Sequence, residues 1–272
     1  MNHSPFLFLS ICVGILSCNA QPSEHIEYTF PQKTIITQFS NNCLEEPEDL
    51  IINLFGQIDR GLLSMYNVTS AEEKELGKML HESFEHKYVE DSRTKRLRKI
   101  LSKLSSYVER QELDYRIYLI ESEEVNAFTI PGGYIYFTTA MYEFAQNDDE
   151  IANIIGHEIG HGENKHTIQS LQRYKQQRDI ASVTGLDPSM LIQLYQLATI
   201  AYNQPQEIES DYSGFYLAYK AGYKPLNGLE FWRRLAVEES PTKLGKLFRS
   251  HPYSETRYQC GLDYIKNSEI GR

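Results

Sequence analysis

The chain has 272 residues, a formal net charge of −10 at pH 7, 41% hydrophobic residues, 16 Gly and 10 Pro. This composition excludes a collagen-like repeat, a disordered chain and a small disulfide-rich scaffold. The acidic balance also gives no basic surface for nucleic acid, so we expect no nucleic-acid partner. The four cysteines, at positions 12, 18, 43 and 260, are too dispersed for a zinc ribbon or a CxxC redox motif.

The N-terminal segment has the pattern of an export signal. Residues 1–23 contain no Asp, Glu, Lys or Arg, and residues 5–16 form an uninterrupted apolar run, PFLFLSICVGIL. As a helix this run would span about 18 Å, which is shorter than the ~30 Å core of a bilayer. The sequence therefore predicts a signal peptide and not a membrane-spanning helix.

Two cleavage sites follow this run. Residues 15–18, ILSC, resemble a bacterial lipobox, which would make residues 1–17 the signal and Cys18 the lipid attachment site. Alternatively, an ordinary signal peptidase would cut after residue 20. We prefer the lipobox because Ser then Cys follows aliphatic residues. The prediction is an exported protein on the periplasmic side of a bacterial membrane, anchored only through lipid at the outer membrane, or else soluble in the periplasm. Two or more acyl chains would make such an anchor stable, whereas a single chain is marginal.

The remaining sequence predicts a linker over residues 18–44 and one domain over residues 45–272, because it contains no repeat and no long Gly/Ser segment. Cys43 and Cys260 would remain after processing. In an oxidising compartment they could form a disulfide, although two buried thiols are an equal possibility. The predicted fold class is α+β and mostly helical.

The predicted elements alternate between long helical stretches and one short β section. The sequence SAEE at residues 70–73 is read as a capping box, and Asn147 as the cap of a helix that runs to about His166. Pro131, Gly132 and Gly133 indicate a turn between two strands. The predicted helices are at about 50–63, from 70, 96–108, 147–166, from 187, 205–220, 226–239 and 254–267; the predicted strands are at 115–120 and 134–139.

The helix after Asn147 contains the motif HExxH. His157 and His161 are four residues apart, about 400° of rotation, and therefore share one face of the helix, where both imidazoles can bind one metal ion. Glu158 lies beside them and can accept a proton from water. Gly156 and Gly160 each cost about 1 kcal/mol inside a helix, which indicates close packing against a neighbouring backbone.

A catalytic zinc needs a third protein ligand and one open position. The metzincin position for that ligand is Thr167, and His166 would lie 500° beyond His161, so we expect His166 at the surface or in the helix C-terminal turn. Glu207 is the better candidate, because Asp211 follows it at i+4 and could orient a ligand histidine. Glu209, about 200° from Glu207, is expected to face solvent.

The motifs together resemble the gluzincin family of zinc metallopeptidases that includes the CAAX prenyl protease and BepA. The resemblance covers about residues 45–268. It rests on these segments, in order: residues 126–128, 131–136 and 138–139; residues 148–152 leading into HEIGH and His166; Glu207, Asp211, Gly214 and residues 221–223; and His251, Pro252 and Arg257. The sequence predicts no spanning helices, in contrast to the membrane-embedded members. It also predicts no helical-repeat domain after the last motif, in contrast to BepA.

The resemblance implies a zincin-like domain with a small sheet beside the HExxH helix and one Zn²⁺ per chain. His157, His161 and Glu207 would hold the metal, Asp211 would support a ligand, and Glu158 would be the general base. His251 would donate to the oxyanion, although in some relatives it occupies the open metal position instead. Arg257 would be structural and paired with an acid near the site.

The same resemblance suggests how substrate would bind. An extended peptide would add to the strand at Tyr134, Ile135 and Tyr136, a mode that tolerates many sequences. Residues 169–204 would form a lid over the site or simply a pair of packing helices. The predicted function is a zinc endopeptidase acting on unfolded or misassembled envelope proteins. The alternative is a catalytically silent chaperone or adaptor with a zinc-stabilised scaffold. The partners would be proteins or peptides, and the oligomeric state stays open.

Overall fold

The computed structural model describes residues 68–169, 172, 202, 204–237, 251, 255–268 and 270. The elements in chain order are α1 (Ser70–Ser83), α2 (Ser92–Leu104), a 3-10 turn (Ser105–Tyr107), β1 (Arg116–Ile120), β2 (Ala127–Ile130), a second 3-10 turn (Pro131–Gly133), β3 (Tyr134–Thr138), α3 (Thr139–Phe144), α4 (Asp148–Glu163), α5 (Gln204–Lys220), α6 (Pro225–Val237) and α7 (Glu255–Asn267). The predicted class, mostly helical α+β with a small sheet beside the HExxH helix, is confirmed.

The described strands form one three-stranded sheet in the order β1-β3-β2. β3 is parallel to β1 and antiparallel to β2. The two predicted strands are present, and β2 was missed because four residues are too few to show a periodic pattern. The prediction that Tyr134, Ile135 and Tyr136 form a substrate-binding edge is wrong, because β3 is the central strand and has a partner on each side. The edge nearer the HExxH helix is β2, which packs next to α4.

The sheet buries both of its faces. Ile117, Leu119, Ile135 and Phe137 belong to the main core, together with the apolar residues of α2 and α4. The opposite face carries Tyr134 and Tyr136 in a smaller cluster, which α1 covers through Leu80. The alternation follows from the two-residue period of a strand. The main core therefore fixes α4, and its histidines, relative to the sheet.

The turn between β2 and β3 requires its two glycines. Gly132 and Gly133 have φ values of 81° and 86°, which L-residues with a Cβ rarely adopt. This confirms the turn predicted at Pro131–Gly133. α1 also packs against this turn, and a Cβ at Gly77 would lie 2.0 Å from the Pro131 carbonyl oxygen.

The cap of α1 is shifted by one residue from the prediction. Thr69, and not Ser70, is the N-cap, and it forms the capping box with Glu72. Glu73 therefore takes no part in the capping box. Its side chain is buried and accepts hydrogen bonds from Arg110 Nη2 at 2.6 Å and from Thr167 Oγ1 at 2.8 Å. α2 also begins four residues before the predicted start, with Asp91 as its N-cap.

The C-terminal helices agree with the predictions to within a few residues. Asn147 caps α4 as expected. α5 ends at Lys220, and Gly222 follows with a φ of 84°.

Some predictions lie outside the described residues: the helices at 50–63 and from 187, the cysteines Cys18 and Cys43, and most of the segment 169–204. Within the described part of the chain, no helix is both long and apolar enough to cross a bilayer.

α4 and α5 are in backbone contact, as the two helix-interior glycines predicted. A Cβ at Gly156 would lie 2.9 Å from both the Cα and the carbonyl oxygen of Gly214. A Cβ at Gly160 would lie 2.9 Å from the Ser210 carbonyl oxygen. Only residues without a Cβ allow the two helix backbones to approach this closely. The close approach places the HExxH helix directly against the helix that carries Glu207.

We expect Gly156→Ala to lower the free energy of unfolding by about 1–3 kcal/mol, because backbone atoms of α5 cannot move aside as a side chain can. Chemical denaturation measures this effect. Gly261→Ala is the matched control: the same change in α7 would meet only the side-chain ends of Leu229 and Phe215, at 3.0 Å. An equal loss of stability in both variants would contradict the backbone-contact explanation.

Candidate metal centre

The two motif histidines converge as a helical spacing of four residues requires. His157 and His161 lie one turn apart on α4, and their Nε2 atoms are 3.1 Å from each other. Both side chains are buried. Two imidazole nitrogens this close, pointing to the same place, form half of a tetrahedral metal site.

α5 adds a carboxylate to this pair. The Glu207 oxygens lie 3.5 Å from His161 Nε2 and 3.6 Å from His157 Nε2, and the side chain is fully buried. The close packing of α4 on α5 accounts for this distance. Glu207 thus lies where the i,i+4 relation to Asp211 suggested a third ligand.

His251 completes the cluster. Its Nδ1 is 3.2 Å from His157 Nε2 and 3.2 Å from each Glu207 oxygen. Ligand atoms of His157, His161, Glu207 and His251 all lie within 4.8 Å of one another. Three imidazoles and a carboxylate directed at one point are a donor set that suits a divalent metal ion of the zinc type. The residues therefore fit a metal.

Glu158 lies beside the cluster and is also buried. Its Oε1 is 3.5 Å from His251 Nε2, while its Oε2 has no hydrogen-bond partner among the described residues. Burial raises the pKa of Glu158 above its ordinary value. An orphaned carboxylate oxygen with a raised pKa is suited to accept a proton from a water molecule.

Asp211 and Arg257 contact the side chains of the cluster. Asp211 Oδ1 lies 2.8 Å from His157 Nδ1, and Arg257 donates to both Asp211 oxygens at 2.8 Å. Arg257 Nη1 also lies 2.8 Å from Glu207 Oε2, and its guanidinium group stacks over Trp232. The expectation that Arg257 pairs with an acid near the site is met, and it pairs with two.

These contacts set the protonation of the buried groups. Burial alone would raise the pKa values of Glu207 and Asp211. His251 and Arg257 nevertheless hold the pKa of Glu207 below its ordinary value, and Arg257 and His157 do the same for Asp211. Burial opposes the charge on His251, yet the Glu207 and Glu158 carboxylates raise its pKa to about 9. Burial, together with His157 and His166, lowers the pKa of His161 strongly. His161 is therefore neutral, as a metal ligand must be.

Two residues differ from the predictions. His166 does follow the helix end, but it is buried and not at the surface, with Nδ1 3.0 Å from His161 Nδ1. Glu209 does not simply face solvent, since its Oε2 lies 3.0 Å from His166 Nε2. The physical reason is that α4 stops at Glu163: Lys165 has a φ of 61°, and the chain turns back toward α5.

Tyr202 is a residue of the site that no motif indicated. Its ring stacks on His161 with 3.7 Å between the centroids and an interplanar angle of 20°. It is buried, and desolvation raises the pKa of its phenol strongly, as do the nearby Glu158 and Glu207. Tyr202 precedes α5 by two residues, and its place on the ring of His161 comes from tertiary packing.

Comparison with known proteins gives a consistent result. The model of peptidase family M48 matches residues 91–260, more than half of the chain. The mitochondrial metalloendopeptidase OMA1 of Saccharomyces cerevisiae is 27% identical over 143 residues, 49% of this chain and 41% of the yeast protein. The beta-barrel assembly-enhancing protease of Yersinia pestis is 24% identical over 162 residues, 53% of this chain and 33% of that protein.

A plant relative extends the match along the chain. OMA1 of Arabidopsis thaliana is 25% identical over 209 residues, 75% of this chain and 42% of the plant protein. The matches span about a third to two fifths of the length of these three relatives. The family resemblance stated from the motifs is thus confirmed.

Proposed function

Because the chain belongs to peptidase family M48, we propose that it is a zinc-dependent endopeptidase. The observation that carries the proposal is the buried convergence of His157, His161 and Glu207, with Glu158 beside them. These three side chains would hold the metal through two imidazole nitrogens and one carboxylate, a donor set used by catalytic zinc sites. The experiment that tests the metal closes the Discussion.

The catalytic roles follow from the positions of the side chains. A bound zinc ion supplies Lewis-acid activation of a water molecule and of the scissile carbonyl. Glu158 accepts the proton of the attacking water at its unpaired Oε2 and delivers it to the leaving amine. Asp211 accepts a hydrogen bond from His157 Nδ1, which leaves Nε2 of that ring directed at the cluster.

Substrate would bind at β2 and not at the central strand. In the described part of the chain β2 pairs only with β3, and the proposal places an extended peptide along its other edge. β2 also packs next to α4, which carries the motif histidines. Peptides N-methylated at successive positions test this pairing, because strand addition predicts loss of cleavage at alternate positions only. Equal cleavage of all of them would contradict it.

His251 has two possible roles, and its position favours one of them. Since Nδ1 lies 3.2 Å from two ligand side chains, His157 and Glu207, His251 fits a fourth ligand that closes the site once the metal has displaced its proton. We therefore expect His251→Ala to increase the initial rate of cleavage of an unstructured substrate such as casein, because the fourth position becomes open to water and substrate. A lower kcat with unchanged KM would instead assign His251 as a donor to the oxyanion.

The natural substrates would be unfolded or misassembled proteins of the bacterial envelope. The support is the similarity to a protein named beta-barrel assembly-enhancing protease, together with the predicted export signal and the predicted lipobox at Cys18. A proteome comparison of cells that produce wild-type protein or Glu158→Gln tests this. Envelope proteins should accumulate with the variant; accumulation confined to cytoplasmic proteins would contradict the location and the substrate class.

Two features of the mature chain belong to the same proposal. Metabolic labelling with a fatty acid tests the anchor at Cys18, since Cys18→Ser should abolish labelling, whereas an ordinary signal peptide predicts none in either protein.

Cys260 is buried in α7, and a disulfide to Cys43 would join the start of the mature chain to its last helix. Mass spectrometry of the non-reduced protein distinguishes this disulfide from two thiols.

A further inference from the structure

The ring of His161 is contacted on three sides. Nε2 points to His157 Nε2 at 3.1 Å, where the metal would bind, and Tyr202 stacks on the ring face. The remaining nitrogen, Nδ1, lies 3.0 Å from His166 Nδ1. The side of His161 that faces away from the cluster is therefore held by a second histidine and not by a carboxylate.

His166 is itself fixed by α5. Its Nε2 lies 3.0 Å from Glu209 Oε2, and Ser210 Oγ lies 3.3 Å from its Nδ1. The turn that carries His166 is attached to the same helix, because Asn164 Nδ2 donates to Ser213 Oγ at 3.0 Å and to the Glu209 carbonyl oxygen at 3.3 Å. His166 is buried, with 1% of its surface exposed.

One arrangement of protons satisfies the whole chain of contacts. If His161 coordinates through Nε2, its hydrogen is on Nδ1, which then donates to His166 Nδ1. The hydrogen of neutral His166 is consequently on Nε2, which donates to the Glu209 carboxylate. In this arrangement every contact joins one donor to one acceptor, and neither His161 nor His166 needs to carry a second ring proton. The contacts thus select the tautomer of His161 that leaves Nε2 unprotonated.

We propose that His166, held by Glu209, is a positioning residue that orients His161 and fixes its tautomer for metal binding. This inference rests on the proposed metal centre. Each ligand histidine then donates from Nδ1 to a residue behind it: His157 donates to Asp211, and His161 donates to His166, which in turn donates to Glu209. Partners of this kind change metal affinity by about 10–100-fold when they are removed.

The test compares two polar replacements of His166. In His166→Asn the side-chain oxygen lies where Nδ1 was and can still accept from His161, but Asn is too short to reach Glu209. In His166→Gln the amide reaches toward Glu209, but no acceptor remains at the Nδ1 position. Zinc dissociation constants are measured by competition with a chromophoric chelator, and the visible spectrum of the cobalt-substituted protein reports ligand geometry.

We expect His166→Gln to bind zinc about 10–100-fold more weakly than wild type, and His166→Asn to recover most of that loss. The cobalt spectrum should change in the Gln variant and remain close to wild type in the Asn variant. His81→Leu is the control, because His81 bonds to Tyr136 on the other face of the sheet, and its zinc affinity should be unchanged.

The outcomes distinguish failure of the positioning role of His166 from failure of the metal centre on which that role rests. Wild-type zinc affinity in both His166 variants, or equal losses in both, would overturn the positioning role, because a residue that only fills space or contacts Glu209 predicts no advantage for Asn. Wild-type protein that binds no zinc would instead overturn the metal centre itself. Thermal unfolding of the metal-free variants shows whether a loss of affinity comes from a loss of fold.

Discussion

Glu158→Gln is expected to slow peptide-bond cleavage by about 10²–10⁴-fold, the range contributed by a general acid–base group, while metal binding is retained. Gln has nearly the same shape as Glu but cannot accept the proton of water. The side chain is buried and contacts His251, but it is not one of the three proposed ligands. Initial rates with casein and metal content, measured on the same preparation, give both values.

A second buried glutamate on the same helix serves as the control. Glu150 is buried at the start of α4, about two turns before His157, and pairs with Arg234 at 2.7 Å. Glu150→Gln should reduce stability without reducing the kcat of the folded protein. Cleavage at the wild-type rate by Glu158→Gln would remove Glu158 from the mechanism. Loss of activity that follows loss of metal would assign it a role in metal binding.

Arg257→Met is expected to lower the free energy of unfolding by about 3–5 kcal/mol, the cost of leaving a buried charge without its partner. Arg257 is buried and contacts two buried carboxylates, Asp211 and Glu207. Met fills a similar volume and stays under Trp232, so the packing changes little. Urea denaturation of the metal-free protein measures the loss without a contribution from bound metal.

The double variant Arg257→Met with Asp211→Leu tests the cause. If the loss comes from an unpaired carboxylate, removing Asp211 as well should make the double variant less destabilised than the sum of the two single variants. Arg234→Met is the control, because Arg234 pairs with a single carboxylate and is partly exposed. Additive losses, or a loss in Arg257→Met below that in Arg234→Met, would contradict the electrostatic explanation.

The part of the site that the sequence could predict depends on local helix geometry. His157 and His161 share a face because four residues are close to one turn, and Asn147 caps the helix because its side chain can accept from a first-turn amide. Gly156 and Gly160 indicated close helix packing because each is costly inside a helix. None of these inferences requires knowledge of distant contacts. Glu207 needed more, namely the i,i+4 relation to Asp211 and the family resemblance.

The failed predictions concern residues whose environment is set by distant parts of the chain. The rotation assigned to His166 assumed that α4 continues, but the helix ends at Glu163 and Lys165 adopts a positive φ, which brings His166 back to His161. Strand order is likewise non-local: β3 became the centre of the sheet because β2, four residues long, pairs with it. Tyr202 belongs to no pattern, and only tertiary packing places it on His161.

The most direct test of the metal centre is elemental analysis of the purified wild-type chain beside His161→Ala, combined with proteolysis before and after chelation. We predict about one zinc per wild-type chain, loss of zinc in His161→Ala, and cleavage of casein that stops on chelation and returns when zinc is added. A folded wild-type chain without metal, or one that cleaves casein equally well after the metal is removed, would contradict the proposed zinc endopeptidase.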